Sequence, residues 1–400
     1  MKLDFRSAEF IANPYPHYAR LRAQAPVHAL APHIWLVTSY RDTDAVLRDP
    51  RLGKQWFSSM SHRYGRDVSA EPAFQLVNRF MLLMNPPEHT RLRGLVSKAF
   101  SVRLAGELRH LAQTIAENLV DGWIERGRVD FVEAFNYPLT VQIICAMLDV
   151  ELSHSLEFQA ETSALVKVFE LTPLNAEELA AANTAALRFE AFFRTVCRER
   201  RHQPGNDLVS LLLKAEEGGD RLGEEEIIAN IVLLFLAGHE TTANMLGNAL
   251  ALLFQHPEQL VQLRAEPSLL SRAVEECLRC ETSVQIAARM ALEPLEWRGM
   301  PIAAGDAVYL ALGAANRDPE VFEEPDRFRI DRPETTAKAL AFGGGAHYCL
   351  GARLARIELE TALEILFRRL PNLNIEIPPD GLQWKNTFSI RGLESLHGTW

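Results

Sequence analysis

The stretch Phe342-Gly343-Gly344-Gly345-Ala346-His347-Tyr348-Cys349-Leu350-Gly351 runs straight into a helix that opens Ala352-Arg353-Leu354. Three successive glycines let the backbone pass close to a flat ligand that side chains would obstruct. The spacing then sets Cys349 at a helix N-terminus. There, free backbone N–H groups and the positive end of the helix dipole stabilise a thiolate over a thiol and tune an iron that it ligates. His347, two residues earlier, stands where it could reach an acidic edge of such a cofactor. Taken alone, these ten residues suit the thiolate loop of a heme protein; the other reading is a glycine-rich turn around a buried free cysteine.

Upstream, the longest predicted helix runs from Glu224 to His256, about 33 residues and so roughly 50 Å at 1.5 Å per residue. Glu224, Glu225 and Glu226 suit the positive end of its dipole, and Pro257 lies just past its end. Its apolar run from Ile227 to Gly238 is interrupted by Asn230 and followed by His239-Glu240, short of the roughly 20 apolar residues of a membrane span. A buried core helix is predicted instead. Inside it, Ala237-Gly238-His239-Glu240-Thr241-Thr242 breaks the apolar pattern. Glycine costs about 1 kcal/mol relative to alanine in a helix interior, and an unpaired buried carboxylate costs more. Glycine allows close approach of another group, while threonine can bond the preceding turn and bend the helix. Thr241 beside Glu240 supplies a hydroxyl to hold bound oxygen and a carboxyl to pass protons. The alternative is a kink in a core helix.

Three further signals are weaker singly. Glu276 and Arg279 stand three apart on one helical face, and Arg327 from Phe322-Glu323-Glu324-Pro325-Asp326-Arg327-Phe328 is expected to join them in a buried brace for the cysteine loop. The Cys277/Cys280 spacing in the same helix lacks a second cysteine pair and a strand-to-helix context, so coincidence is the preferred reading. Pro86-Pro87-Glu88-His89-Thr90-Arg91-Leu92-Arg93 starts a helix with His89 and Arg93 on one face, either a clamp for an anion such as a heme propionate or a solvated basic face. Arg289, in the strand after Val284, is a third candidate for the same task.

The bulk numbers agree with a large soluble enzyme. Lys plus Arg is 42 against 52 for Asp plus Glu, a net charge of -10, with no basic block to suggest nucleic acid. Residues Met1 to Ala12 lack an apolar run of signal or anchor length, so a cytoplasmic protein without a membrane anchor is expected. Five scattered cysteines do not make a disulfide framework; Cys145 and Cys197 are expected to be inert packing residues. The pattern predicts one domain over residues 1–400, mainly α with a minor β region. Its smaller β-rich part comes from about 1–60 and 284–400, and its helical core from about 87–280 plus 351–370. In detail, Val27 to Leu30 and Ile34 to Thr38 read as a hairpin with Trp35 and Val37 on one face, and Gly205 and Gly218-Gly219 as breaks.

With the five signals in this order, the chain closely resembles the bacterial cytochrome P450 family from Asn13 to its C-terminus. The resemblance implies the P450 fold, with small antiparallel sheets on a large helical domain, and heme b (iron protoporphyrin IX) ligated by Cys349 within the loop Phe342, Gly343 to Gly351. It implies that His89, Arg93, Arg289 and His347 bind the propionates, and that Ala237, Gly238 and Thr241 line the oxygen pocket. Thr241 and Glu240 would be the alcohol–acid pair that delivers protons while O2 is cleaved, one oxygen atom going to substrate and one to water. One departure shows: relatives usually carry proline where Ser283 stands, stiffening the turn into the strand beside the substrate pocket, so its loss puts the pocket geometry in doubt and not the heme chemistry.

The chain has no dinucleotide fingerprint and no flavin domain, so electrons are expected from a separate ferredoxin and its reductase, with Arg353 and Arg356 as a docking patch. The expected activity is hydroxylation or epoxidation by a monomer in secondary metabolism. Oxidative coupling, rearrangement or peroxygenation on the same fold is the alternative, and a non-catalytic heme sensor a distant one. Walls at Trp56 to Met84, Val166 to Leu174, Val284 to Ala288 and Phe388 to Ile390 carry Phe57, Val168, Phe169, Leu171, Ile286 and Phe388, which points to an apolar substrate of medium to large size.

Overall fold

A computed structural model of the chain describes residues 4–54, 60, 64–104, 108–153, 158–170, 172–217, 220–333 and 337–400. Trp56, Phe57, Leu171, Gly218 and Gly219, singled out above, lie outside the described residues.

In chain order, the helices that carry the argument are α1 (Tyr15–Gln24), α2 (Tyr40–Arg48), α3 (Glu88–Leu104), α4 (Leu108–Trp123), α5 (Tyr137–Leu148), α6 (Ala176–His202), α7 (Glu224–Gln255), α8 (Leu270–Cys280) and α9 (Ala352–Arg369). Local chemistry sets their ends. The Ser39 side chain accepts from the Asp42 N–H to open α2, and Asn175 and Glu178 form a reciprocal capping box on α6, whose last turn carries Arg200, Arg201 and His202. α7 begins on three glutamates and is continuous α-helix to Gln255.

The chain divides into two compact units, one made of Met1–Leu52, Arg109–Thr140 and Glu240–Trp400, the other of Gly53–Leu108 and Val141–His239. The division falls within α7, between His239 and Glu240.

The first unit holds the main sheet. β1 (Val27–Ala31) pairs antiparallel with β2 (Ile34–Val37) across a turn in which His33 takes φ 63°. β3 is Leu52–Gly53, β4 Arg128–Asp130, β5 Ile286–Ala291 and β6 Ala307–Ala311, and the strand order is β1-β2-β6-β5-β3. β6 runs antiparallel to β5 but parallel to β2, so not every pairing is the antiparallel one expected. The alternation predicted for β2 fails too: Trp35, Leu36 and Val37 are all buried, because β2 is an inner strand covered on both faces. Val27, Trp35, Val46, Leu47, Val308, Leu310 and Leu340 belong to the apolar core here. β4 joins β7 (Asn374–Ile375) and β8 (His397–Thr399) in a second sheet with β8 in the middle, a pairing that reaches outside the predicted β-rich segments.

In the second unit, Phe158, Phe189, Phe193 and Phe235 form an aromatic cluster with ring centroids 4.8 to 6.4 Å apart. α7 is the one helix among the described residues long and apolar enough to cross a membrane. From Ile227 to Leu253, however, it is buried at every position except Ala237, Gly238, Glu240 and Thr241, as a core helix is.

Candidate active site

The cysteine loop is closed by its own backbone. The Gly343 N–H donates to the Leu340 carbonyl (2.9 Å), Tyr348 N–H to Gly345 (3.1 Å) and Cys349 N–H to Phe342 (3.0 Å), and Ala355 N–H then reaches back to Gly351 (2.9 Å) as α9 begins. Gly343 and Gly345 take φ 67° and 64°, the left-handed region that a side chain resists. Two of the glycines also meet a neighbour within the protein. A Cβ on Gly345 would stand 2.4 Å from the Leu47 carbonyl oxygen and one on Gly344 3.3 Å from Leu47 Cδ1, so these two glycines admit the end of α2. The result is a rigid bend that presents Cys349 at the surface of its unit, whereas Cys145, Cys197, Cys277 and Cys280 are all buried and reduced. Burial pushes the Cys197 thiol up to about 11 and the Cys280 thiol up to about 12, which makes them poor nucleophiles and ligands.

On α8, Arg279 forks onto Glu276 with two bonds of 2.8 Å, and both side chains are almost wholly buried. The third member is Arg332, whose Nε lies 3.1 and 3.2 Å from the two carboxylate oxygens, and not Arg327 as expected. Arg327 is an exposed side chain paired with Glu324; what it contributes is its carbonyl, bonded by Arg279 at 3.1 Å and Arg332 at 2.9 Å. Arg356, assigned above to a docking patch, is likewise engaged. It forms a two-point pair with Glu275 and lies 4.5 Å from the centre of the Phe342 ring, while Arg353 is exposed.

Arg289 on β5 is buried, and among the described residues its guanidinium has one hydrogen bond, to the Ala288 carbonyl at 3.0 Å, and no carboxylate. Burial alone lowers its pKa to about 10. A buried cation without an anion costs on the order of several kcal/mol, so this site fits an anionic group such as a porphyrin propionate. His347 is half-buried at the end of a short 3-10 turn in the same unit. In the second unit, His89 and Arg93 stand one turn apart on α3, His89 buried and Arg93 half-buried; Arg91, between them, turns to Glu226 and Asp220 instead.

Along α7 the four accessible positions are the ones the sequence marked. Gly238 lies where a Cβ would come within 3.3 Å of Ile144 Cδ1, which accounts for glycine there by packing against α5. His239 turns inward and bonds the Phe235 carbonyl at 2.7 Å, with burial lowering its pKa. Ala237, Glu240 and Thr241 leave a small, partly polar patch on an apolar helix. Ser283 is buried, and its carbonyl accepts the Arg391 N–H at 2.6 Å; the Arg391 and Glu281 carbonyls both accept from Asn248 Nδ2. Among the predicted substrate walls, Val168 and Ile286 are buried, Phe169 stacks on Phe80, and Phe388 meets Phe5 and Tyr309 edge-on.

An exposed cysteine on a glycine bend at the head of a helix is an arrangement that suits a heme-thiolate enzyme. The chain belongs to the cytochrome P450 family, whose model matches residues 33–386. It is 42% identical over 397 residues to a Xylella fastidiosa sequence of the cytochrome P450 133B1 type, covering 99% of this chain and 98% of that one. It is 40% identical to the cytochrome P450 monooxygenase PikC of Streptomyces venezuelae, with coverage of 98% and 92%. The crystal structure of P450BioI in complex with hexadec-9Z-enoic acid ligated acyl carrier protein superposes with a TM-score of 0.89 at 35% identity, over 98% of this chain and all of that one. The protein is therefore a P450 monooxygenase that binds heme b and uses O2, a substrate and a redox partner.

Proposed function

We propose that Cys349 is the thiolate ligand of the heme and that the chain inserts one oxygen atom into an apolar small molecule, by hydroxylation or epoxidation. The observation that carries this reading is the contrast between the surface Cys349, on a bend closed by its own N–H, and four buried cysteines. When bound, the heme supplies the oxygen-activating chemistry. The chain's residues do the rest. Arg289, His347, His89 and Arg93 hold the propionates, with Arg289 gaining the anion its burial calls for. The backbone N–H of Cys349 is spent on Phe342, so the sulfur's position is fixed by the loop. Ala237 and Gly238 keep the oxygen side open, Thr241 offers a hydroxyl there, and Glu240 supplies protons. Phe342, Gly343 and Gly351 shape the cysteine side.

Val168, Phe169, Ile286 and Phe388 support an apolar substrate, and the hexadec-9Z-enoic acid carried by the acyl carrier protein in the P450BioI complex is of that chemistry. We place the enzyme in secondary metabolism, as a cytoplasmic monomer of one catalytic domain fed by a ferredoxin. The test is the absorption spectrum of the reduced protein under carbon monoxide, for wild type and Cys349→Ser. A strongly red-shifted Soret band lost in the variant supports the assignment. A histidine-type carbonyl spectrum in wild type sinks it.

A further inference from the structure

In the first unit, a hairpin bridged between Trp384 and Leu393 is anchored at its base by polar contacts. The Lys385 N–H donates to the Gly392 carbonyl at 2.9 Å, and the Lys385 ammonium reaches the Tyr137 hydroxyl at 2.5 Å and Asn244 Oδ1 at 3.2 Å. A Cβ on Gly392 would stand 1.9 Å from Asn244 Oδ1, so the hairpin can lie on α7 only with glycine at that place. Nearer the tip, the Ser389 carbonyl accepts the Gln285 N–H at 2.9 Å and Ile390 bridges to Val284. The hairpin is thus tied to the segment that leads into β5, and its tip carries Phe388.

Phe388 meets two rings from distant parts of the sequence. Tyr309 of β6 lies edge-on at 5.8 Å and 88°, and Phe5 edge-on at 4.9 Å and 89°. Tyr309 pairs with Ala288 in the sheet, so the period of two residues sets it on the same face as Ile286. Ile286 and Phe388, both assigned to the substrate wall, therefore share a side. Phe5 is itself held: it is half-buried and edge-on to Phe10 at 5.1 Å, and the buried Phe10 is edge-on to Tyr18 at 5.5 Å. The Ser7 side chain opens the short helix Ala8–Ala12 by accepting the Phe10 N–H at 3.2 Å. The guanidinium of Arg391, from the same hairpin, holds the Ile11 and Ala12 carbonyls at 2.6 and 3.0 Å. The segment from Phe5 to Ala12 is thus a strap, joined to the hairpin by Arg391 at one end and by the Phe5–Phe388 ring pair at the other.

We propose that Phe5 is a positioning residue for substrate selection: its ring fixes where Phe388 stands and so sets the bulk of the apolar group that the enzyme accepts. This rests on Phe388 being a substrate wall. An edge-to-face pair holds the orientation of a ring as well as its place. Removing the Phe5 ring opens space into which Phe388 can turn, so the wall recedes and bulky apolar groups gain over slender ones.

The experiment titrates the heme-loaded protein with N-benzylimidazole and with the bulkier N-tritylimidazole, whose imidazole heads bind the iron while their apolar groups probe the walls. The Soret shift gives the two Kd values, and their ratio is the readout. It is measured for wild type, Phe5→Ala, Phe5→Tyr, Phe388→Ala and the double variant Phe5→Ala/Phe388→Ala, each first shown to give the wild-type carbon monoxide spectrum and each also melted thermally. Phe5→Ala is expected to move the ratio toward the trityl probe by about threefold to tenfold, the worth of one edge-to-face ring pair. Phe388→Ala is expected to move it the same way, and the double variant no further than Phe388→Ala, because Phe5 acts through Phe388. Phe5→Tyr keeps the ring and is expected to keep the wild-type ratio; a tyrosine variant that behaves like alanine overturns the ring pair as the cause. A shifted ratio in Phe388→Ala with an unshifted one in Phe5→Ala, whatever its melting temperature, overturns the proposal and leaves the wall in place. Additive shifts in the double variant overturn action through Phe388. An unshifted ratio in Phe388→Ala overturns the wall, and the role of Phe5 with it.

Discussion

Arg289 separates what a residue does for the folded chain from what it does for the cofactor. Its guanidinium is buried with a single neighbouring carbonyl, so Arg289→Leu is expected to leave the thermal stability of the heme-free protein unchanged or raise it. The same substitution is expected to speed heme loss to apomyoglobin by roughly ten- to a hundredfold, the range of a hydrogen bond to a charged group. A variant that loses stability without heme while keeping its heme as well as wild type contradicts both halves. At Thr241, alanine is expected to raise peroxide release per NADH consumed by about tenfold or more, since oxygen reduction continues while its protons are misdirected; peroxide assay beside NADH oxidation reads this directly.

Among the elements, the buried cluster of Glu276, Arg279 and Arg332 makes the sharpest prediction. Arg332→Met removes one of the two guanidiniums from the buried Glu276 and is expected to cost about 3 kcal/mol, as breaking a buried ionic cluster does. Arg327→Ala, at an exposed side chain, is expected to cost less than about 0.5 kcal/mol. Chemical denaturation of both variants checks the pair, and the reverse order would restore the reading made from sequence. That reading named Glu276 and Arg279 correctly because helical spacing alone puts them on one face. It named the wrong third member because Arg327 and Arg332 sit in a loop with no period, where only the fold decides which side chain turns inward. The same limit explains Gly344 and Gly345: the motif was legible, but its closest neighbour, Leu47, comes from a helix almost three hundred residues earlier. α7 was legible almost to the residue, since acidic start, apolar run and terminal proline all agree.

For the whole molecule, stability against pH has two flanks. Burial raises the carboxyls of Asp42 and Asp306, but hydrogen bonds from Arg298, Ser39 and Trp297 on the one and from Trp35 and His33 on the other bring them below the ordinary range. Their contribution is present above the unfolded value of about 4 and is lost as pH falls through the folded one. Glu358 on α9 behaves oppositely: buried, with Oε2 lacking a partner among the described residues, it is pushed well above the carboxylate range. Its contribution is complete below about 4.3 and is lost as pH rises through its folded value. Glu358→Gln is therefore expected to stabilise the protein at pH 8 relative to wild type and not at pH 4, as denaturant midpoints at the two pH values will show. Ser283 has a consequence of another kind. Its carbonyl accepts the Arg391 backbone N–H, while the Arg391 side chain bonds Glu281 and the Ile11 and Ala12 carbonyls and lies 3.5 Å over Trp384. One arginine thus fastens the turn at Ser283 to Ile11, 380 residues before that arginine in the chain, so the turn and the N-terminal segment loosen together when its guanidinium is removed.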